Sequence, residues 1–383
     1  MNTHQCDVAI VGGGLAGGSA ALAFAQQDCS VRLFERRDMA RDPNRGDILH
    51  PQTVGVARKL GIIDLLDERG AIRFKQVTTI GPGGPLNRQT HSEEYRILNH
   101  AEMESTLLDA AEARGAAIEN EVVRSMTHAD GWLLQTDAGA TRARFLVGAD
   151  GAESLTRRTL GIEQADVHEY DHWIVVLHAD RPPWLEPESG WTLYHPDGAV
   201  FILPTTPAGR IRVVVIVARE EAKEWMTSSE AELTRRLAER HPDLGVFRVT
   251  KRGGSHVYRL KRTHAASYIG PHAALVGDAA HTTHTMGGQG LNIAIQDSAK
   301  LAELVGPLLR DPGGREDALA RALAEYEEVR RPINTATLAQ AHWASQMAGP
   351  GEEGSDFAVD FFTRAAADPE MLHKFAKGFG GRA

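Results

Sequence analysis

The chain has 383 residues and a net charge of −9; 42% of its residues are hydrophobic and 24% are charged. This length exceeds one small hydrophobic core and predicts about two domains of ordinary globular composition. The acidic balance argues against non-specific binding to nucleic acid or to an anionic membrane surface. Cys6 and Cys29 form no disulfide framework, and no apolar run has the length of a membrane span. We therefore predict a cytoplasmic protein with no nucleic-acid partner and no membrane partner.

The N-terminal segment has the pattern of a nucleotide-binding βαβ unit. The apolar run 6–11 predicts a buried parallel strand, and Gly12, Gly14 and Gly17 follow it at the spacing G-x-G-x-x-G. The first glycine permits a tight turn, the second lets a pyrophosphate approach the backbone, and the third lets the helix pack closely. Glu35 ends the next predicted strand and could bind ribose hydroxyls, which favours FAD or NAD over NADP. The alternative is a glycine loop that only packs two elements together.

The middle of the chain predicts a second, mainly antiparallel sheet. Strands are expected at 172–179, 191–195, 199–204 and 211–218, separated by proline and glycine turns. Their histidines, arginines and aromatic residues indicate one wet or ligand-facing side. We interpret this sheet as a substrate domain inserted between the halves of a nucleotide-binding domain.

The segment 274–297 combines another buried strand with a second glycine-rich loop. Asp278 lies where the strand ends, and the loop 287–290 leads into a helix that starts near Leu291. Such a loop directs backbone N–H groups and the positive end of a helix dipole at an anionic group. Asp278 could accept hydrogen bonds from a sugar or polyol hydroxyl. Together with the N-terminal loop, this segment predicts one large ligand that is held at two polar ends.

Three motifs in this order resemble those of a known enzyme family. The first is the glycine motif with Glu35, the second is D-G-x-x-S-x-x-R at 150–157, and the third runs from Gly277 to Asn292. They are similar to motifs of the FAD-dependent aromatic hydroxylases, single-component flavoprotein monooxygenases with the para-hydroxybenzoate hydroxylase fold. The segment 326–332 is also similar, and the resemblance covers nearly the whole chain.

The resemblance implies an α/β fold in which a Rossmann-type FAD-binding domain carries an inserted, mainly antiparallel substrate sheet and C-terminal helices. Helices are expected from an N-cap at Asn99, over 228–240 and over 313–347. The domain ranges predicted are 1–75 with 97–167 and 262–347 for FAD, 76–96 with 168–261 for substrate, and 348–383 for a C-terminal helical tail.

The resemblance also implies the chemistry. FAD would be the cofactor, NADH or NADPH a transient reductant, and O2 the oxidant. Hydroxylation of a small aromatic or polyketide-like substrate would proceed through a flavin C4a-hydroperoxide. The protein would be a monomer or a homodimer.

A set of residues is placed at FAD by the two glycine motifs and by the resemblance, with Arg36 near the adenine, Arg45 on the pyrophosphate and the 290–292 backbone at the pyrimidine edge of the flavin. The predicted cofactor-binding residues are Gly12, Gly14, Gly17, Glu35, Arg36, Arg45, His100, Val122, Asp150, Gly151, Asp278, Gly288, Gly290, Leu291 and Asn292.

Two positions depart from the family pattern. Proline is common in the family where this chain has His284 and Thr285, and proline fixes φ and removes a backbone donor. We therefore expect this loop to be more mobile or to offer a side chain to the substrate. His100 stands where the family usually has an arginine or glutamine that reaches the flavin.

The candidate catalytic residues are Arg212, His195 and His284. Arg212 could hold a carboxylate or a phenolate on the presumed substrate sheet, where His256 and Tyr258 also lie. For each of these side chains a solvated or structural role is the alternative. The spacing His281-x-x-His284 also permits a metal pair, but no third ligand is evident, and we predict no metal site.

Other functions on the same fold stay open. A flavoprotein reductase, a dehydrogenase or a halogenase would bind FAD without productive oxygen insertion, and a FAD-binding protein without turnover would act as a structural or regulatory partner. Fold resemblance alone does not decide among these chemistries.

Overall fold

Two β-sheets and their covering helices form the part of the chain that this computed structural model describes, residues 3–36, 46–81, 83–205, 209–250, 256–310, 316–368 and 370–371. The strands of these residues are β1 (Thr3–Val11), β2 (Val31–Phe34), β3 (Gly46–Leu49), β4 (Ile72–Gly81), β5 (Gly84–Asn99), β6 (Ala117–Glu119), β7 (Ser125–Ala129), β8 (Gly131–Gln135), β9 (Ala140–Gly148), β10 (Gln164–Asp180), β11 (Ser189–Leu193), β12 (Val200–Thr205), β13 (Arg210–Ala218), β14 (Val249–Thr250), β15 (His256–Ala265), β16 (Ile269–Gly270), β17 (Ala273–Leu275) and β18 (His281–Thr282). The α-helices are α1 (Leu15–Gln26), α2 (Pro51–Lys59), α3 (Ile63–Glu68), α4 (His100–Glu112), α5 (Leu155–Thr159), α6 (Ala222–Thr227), α7 (Glu230–Arg240), α8 (Gly290–Arg310), α9 (Glu316–Ala348) and α10 (Glu352–Ala367).

The first sheet is covered on both faces, which explains the unbroken apolar runs of its strands. Its order is β16-β17-β9-β1-β2-β6, and the five strands from β17 to β6 are parallel. Helices α1, α4 and α8 pack in the apolar cluster that contains Val8 and Ile10, whereas the β7–β8 hairpin packs with Ala9 and Val11 on the opposite face. A parallel strand with both faces in a core has little need of alternating polarity.

The second sheet is antiparallel except where β11 pairs with β4. Its ten strands follow the order β18-β15-β10-β13-β12-β11-β4-β5-β3, with β14 beside β10. Helices α6 and α7 cover one face. The end of α9, the helix α10 and Met286 pack on the other, which we call the inner face. The inner face is therefore the side that meets the second glycine loop.

The α/β fold predicted from the sequence is confirmed in its type and in the order of its elements. The Asn99 side chain accepts a hydrogen bond from the Ala101 N–H at 2.9 Å and so caps α4. The helix predicted over 228–240 forms as α7 and begins at Glu230, because the Ser229 hydroxyl caps it; the short helix α6 before it was not predicted. The strand expected at 191–195 ends at Leu193.

The predicted domain ranges stay a prediction. Strand β3 pairs with β5 in the second sheet, although the predicted ranges place residues 46–49 in the FAD-binding domain. Among the described residues, no helix combines the length and the apolar character needed to cross a bilayer.

Candidate active site

The N-terminal glycine loop connects β1 to α1 with almost no free space. Gly12 has a φ of +105°, and a Cβ atom added there would lie 2.3 Å from the Ala149 carbonyl oxygen. A Cβ atom added at Gly17 would lie 1.8 Å from the Gly12 oxygen. Gly14 occupies the N-cap of α1 in an extended conformation. Side chains at Gly12 or Gly17 would therefore collide with backbone, and the tight turn from β1 into α1 requires glycine at both positions.

Glu35 lies directly against this loop. Its Oε2 atom accepts a hydrogen bond from the Gly13 N–H at 2.6 Å, and the residue is buried. Arg36 follows β2 and is exposed, and Val122 is half-buried just after β6, the parallel neighbour of β2. Arg45, the predicted pyrophosphate ligand, lies outside the described residues.

The second motif connects the first sheet to the third motif. The Asp150 carboxylate accepts hydrogen bonds from the Ser154 hydroxyl and from the Thr156 N–H, the latter at 2.9 Å. Ser154 Oγ in turn accepts from the Arg157 N–H at 2.8 Å, and Arg157 Nη1 donates to the Ala279 oxygen at 3.0 Å. The second motif is therefore hydrogen-bonded to the turn that carries Asp278. Gly151 forms the adjoining turn.

Asp278 is exposed, although the residues on both sides of it are buried. The turn that carries it passes between α1 and α8. A Cβ atom added at Gly277 would lie 2.7 Å from the Ala16 Cβ and 3.2 Å from the Ala294 Cβ. This close packing directs the Asp278 side chain outward, at the same end of the first sheet as the N-terminal glycine loop.

The second glycine loop is held by side chains. Asn292 is fully buried; its Oδ1 atom accepts from the His50 N–H at 2.9 Å, and its Nδ2 donates to the Ile48 oxygen at 2.9 Å and to the Gly288 oxygen at 2.7 Å. The His50 Nε2 atom lies 2.7 Å from the Gly287 oxygen. These bonds fix the loop to the end of β3 and the start of α2.

The start of α8 offers free hydrogen-bonding groups. The Ile293 N–H makes the first backbone bond, to the Gln289 oxygen at 3.0 Å, and the N–H groups of 290–292 have no acceptor among the described residues. Thr283 Oγ1 and Gln289 Nε2 are also buried without a hydrogen-bond partner in the described part of the chain. A polar heterocyclic edge would satisfy such groups, so the residues present fit the flavin end of FAD.

A buried polar network supports the third motif from below. His281 Nε2 lies 2.6 Å from Asp297 Oδ2, and Arg330 Nε lies 2.7 Å from Asp297 Oδ1. Asn334 Nδ2 donates to the same carboxylate at 3.0 Å. Burial opposes ionisation of Asp297, but the Arg330 charge and the hydrogen bonds outweigh it and hold its pKa below the ordinary value. The ionised carboxylate ties β18 to α8 and α9.

His284 does not point into open space. Its ring is fully buried, its Nδ1 accepts from the Met286 N–H at 3.1 Å, and its Nε2 lies 2.9 Å from His172 Nε2. The Tyr170 ring packs edge-on at 4.6 Å between centroids. Because His281 bonds Asp297, the two histidines of the H-x-x-H spacing engage different partners. Among the described residues, no group of three or more His, Cys, Asp or Glu side chains could hold a metal ion.

Arg212 lies on the inner face of the second sheet. Side chains two residues apart on a strand share a face, so Arg212 points to the same side as Val214 and Ile216, which cluster with Met286. Its register partner on β10 is His178, and both residues are buried. The structure does not join His195 to this pair. Its Nδ1 accepts from the Asp197 N–H at 3.1 Å in the turn after β11.

His100 starts α4, and its Nε2 lies 3.2 Å from the buried carboxylate of Glu104, one turn further on. His256 and Tyr258 lie on β15, which pairs with β10, and the Tyr258 ring packs against the apolar cluster of the inner face. Sequence reasoning singled out neither His50, His172 nor His178. The sequence did contain a signal for His172 and His178: every second residue of β10 lies on one face, and these two histidines alternate into the face that carries apolar residues.

Two glycine loops form a site for a dinucleotide-type cofactor. Each loop starts a helix and lies beside a carboxylate at the end of a strand. A family model described as FAD binding domain matches residues 5–341. "Ubiquinone hydroxylase UbiL" of Rhodospirillum rubrum is 31% identical over 367 residues, covering 87% of this chain and 79% of that protein. The chain belongs to the family of FAD-dependent monooxygenases with the para-hydroxybenzoate hydroxylase fold, and it is an oxidoreductase that binds FAD.

Other relatives extend over even more of the chain. "Protoasukamycin 4-monooxygenase" of Streptomyces nodosus subsp. asukaensis is 29% identical over 410 residues, covering 96% of this chain and 95% of that protein. The crystal structure of PqsL from P. aeruginosa in complex with 2-aminobenzoylacetate matches with a TM-score of 0.79 at 24% identity, over 98% of this chain and 100% of that one. The latter likeness supports the two-sheet fold.

Proposed function

We propose that this monooxygenase hydroxylates a small aromatic or polyketide-like molecule that carries a phenolate, enolate or carboxylate group, with NADH or NADPH as a transient reductant. The observation that carries the proposal is the buried Arg212–His178 pair on the inner face, amid the apolar cluster that contains Met286 of the second glycine loop. The relatives are named for oxygenation of ubiquinone and of protoasukamycin, which supports this substrate class.

Each of the two glycine loops would bind a different part of FAD. The N-terminal loop would take the ADP half, with Glu35 shared between the Gly13 N–H and the ribose hydroxyls. Asp278, exposed at its strand end, would take the polyol or pyrophosphate portion. The free N–H groups of 290–292 would stabilise negative charge on the flavin. Bound FAD would supply the redox chemistry with O2.

The inner face would orient the substrate and keep water out. Val214 and Ile216 exclude water around Arg212. A guanidinium group in such surroundings can bind a phenolate or, with two parallel hydrogen bonds, a carboxylate in bidentate geometry. The ring of the substrate would then lie between the second sheet and the second glycine loop. His178, beside Arg212, is the neighbouring group that could exchange a proton with the substrate.

The test is turnover of the FAD-loaded enzyme under ¹⁸O₂ with NADH or NADPH and a panel of phenols, hydroxybenzoates and hydroxylated N-heterocycles. Substrate-stimulated nicotinamide oxidation and one ¹⁸O atom in the product are expected. Reduction of the substrate without O2 would favour a reductase or dehydrogenase, and incorporation of halide would favour a halogenase. A loaded enzyme silent toward the whole panel would favour a FAD-binding protein without turnover.

Arg212→Ala tests the substrate contact. We expect KM to rise about 10- to 100-fold, the effect of losing a charged hydrogen bond, with a smaller change in kcat. Arg212→Lys should recover part of this affinity because it keeps the charge. The control is Arg259→Ala: Arg259 is exposed on β15 and packs over Trp173 of the other face, so its loss should leave KM unchanged. Equal KM values for all variants would contradict the assignment.

A further inference from the structure

A chain of hydrogen bonds leads from the second glycine loop to the protein surface. His284, in the loop, contacts His172 on β10 through their Nε2 atoms at 2.9 Å. The Nδ1 atom of His172 lies 3.0 Å from Oδ1 of Asp171. Both imidazoles are buried, whereas the Asp171 side chain is 99% exposed. These hydrogen bonds therefore join the loop that borders the proposed flavin site to solvent through β10.

The bonding partners determine where each ring carries its proton. The Met286 N–H donates to Nδ1 of His284, so neutral His284 has its proton on Nε2. That N–H donates to Nε2 of His172, so neutral His172 has its proton on Nδ1 and donates it to Asp171. Each ring has one donor and one acceptor nitrogen, and every one of the four is used.

A second proton on either ring breaks this arrangement. If His172 gains a proton, its Nε2–H faces the Nε2–H of His284. If His284 gains one, its Nδ1–H faces the Met286 N–H. Two donors at these separations repel each other, and His284 would have to leave the sheet or give up its bond to the loop backbone. The His172–His284 contact and the bond from the Met286 N–H to His284 exist together only while both rings are neutral.

The surroundings favour the neutral pair near neutral pH. Burial lowers the pKa of His172, although Asp171 opposes this change, and burial together with the neighbouring His172 and His342 holds the pKa of His284 well below its ordinary value. The other titratable or charged groups around the pair, among the described residues, are Tyr170, His168 and Asp166 on β10, His342 on α9 and Arg262 on β15; Arg262 is paired with Asp166 at 2.9 Å. Because Asp171 is exposed and favours a cation beside it, His172 is the ring that takes up a proton first as the pH falls.

The contact reaches the cofactor loop directly. Met286, whose N–H binds His284, starts the turn 286–288 that contains Gly287 and Gly288. Gly288 is held in turn by Asn292 at the start of α8. In the positions where the family commonly has proline, this chain therefore uses a hydrogen bond to another sheet to hold the loop.

We propose that His172 is a positioning residue of this enzyme: through His284 it holds the 283–289 loop against the second sheet, and its protonation releases that loop. The inference rests on the proposed function only where it concerns turnover. With the loop released, the flavin pocket opens to water, and reduced flavin should react with O2 to give H2O2 in place of hydroxylated product. Coupling of nicotinamide oxidation to hydroxylation should therefore fall as the pH is lowered.

Three variants separate this role from a merely structural one. His172→Leu removes the acceptor, and His172→Gln keeps an acceptor oxygen near the position of Nε2 but does not titrate. His342→Gln is the control: it removes a neighbouring histidine that contacts the Tyr170 hydroxyl and is not part of the bonds between His284, His172 and Asp171. Two quantities are measured on each holoenzyme from about pH 8 to about pH 5, across the ordinary histidine pKa: the fraction of NAD(P)H oxidation that yields product, and hydrogen exchange of 283–289. Histidine ¹⁵N spectra of the same proteins report the protonated nitrogen of each ring.

The wild type should lose coupling and loop protection together as the pH falls. His172→Leu should show an exposed loop at every pH, with exchange about fivefold faster, the effect of one lost hydrogen bond. His172→Gln should keep the loop protected and flatten the pH profile, and His342→Gln should follow the wild type. A His172→Leu loop as protected as the wild-type loop, or a His172→Gln profile that still falls with pH, would overturn the proposal. If no substrate is hydroxylated, loop exchange and the ¹⁵N spectra still decide it.

Discussion

The two glycine loops of this protein hold their shape by different means. In the N-terminal loop the constraint is steric and local, since added Cβ atoms at Gly12 and Gly17 would collide with backbone within the same βαβ unit or its neighbouring strand. In the second loop the constraint is polar and long-range, since Asn292, His50 and His284 connect it to β3, α2 and β10. A steric constraint is insensitive to pH, whereas a polar one depends on the protonation and the presence of distant partners.

This difference predicts how each loop fails. Glycine replacement should damage the N-terminal loop at once, because backbone atoms cannot move away from a new Cβ atom. The second loop should fail when a partner is lost, even one on another sheet.

The largest effect is expected for Gly17→Ala. Its new Cβ atom would lie 1.8 Å from the Gly12 oxygen, so the helix must move away from the strand. We expect the free energy of unfolding to fall by about 3 kcal/mol, at the upper end for overpacking, and FAD to be lost on purification. Urea unfolding and the flavin absorbance of the purified protein measure both.

Gly55→Ala is the matched control for that variant. Gly55 lies inside α2 and has no neighbouring atom within 4 Å of an added Cβ. The substitution should stabilise the protein by about 0.5–1 kcal/mol and leave FAD bound. If Gly17→Ala retained FAD and stability like this control, the steric account of the first loop would be wrong.

A smaller but still large effect is expected for Asn292→Ala. The variant leaves the His50 N–H and the oxygens of Ile48 and Gly288 without their partner, and we expect a loss of about 2–3 kcal/mol together with weaker FAD binding. Gln296→Ala is the comparison one turn along α8, where the side chain donates to Thr53 Oγ1 at 2.9 Å. That loss should be about 1 kcal/mol and leave FAD affinity unchanged. Equal FAD affinities in the two variants would show that the loop does not depend on Asn292.

The same contrast decides what could be read from the sequence. The N-terminal loop was predictable in detail because its requirements are spacings of glycine between a strand and a helix. The α/β class, the strand order along the chain and the cap at Asn99 followed from local patterns for the same reason. The Asp150 motif was found as a pattern, but its hydrogen bond to the Ala279 oxygen depends on two segments more than a hundred residues apart in sequence.

The second loop shows what local patterns leave out. His284 in place of a proline predicted a more mobile loop or a side chain offered to the substrate, whereas the structure gives that side chain a partner on the second sheet. His172 and His178 looked like ordinary residues of an alternating strand. Their importance appears only once β10 is placed beside β13 and opposite the loop, a register that no stretch of sequence specifies alone.

The predicted effect that is smallest at neutral pH concerns the polar support beneath the second loop, which should make stability depend on pH. His264 lies beside Tyr268, 2.8 Å from its hydroxyl, and burial, with a smaller contribution from His281, lowers its pKa to about 4. Between the ordinary histidine value of 6.5 and about 4, the unfolded chain binds a proton that the folded protein does not, so stability must fall as the pH falls through this range.

The variant His264→Gln tests this pH dependence, because glutamine can keep the Tyr268 bond without titrating. Because other buried histidines contribute to the wild-type slope, the test is the difference between the two proteins in urea unfolding. The slope should decrease by at most about 1.4 kcal/mol per pH unit. Identical slopes for the two proteins would mean that His264 binds its proton equally well in the folded and the unfolded chain. The polar support of the second loop would then be as insensitive to acid at His264 as the steric packing of the first loop.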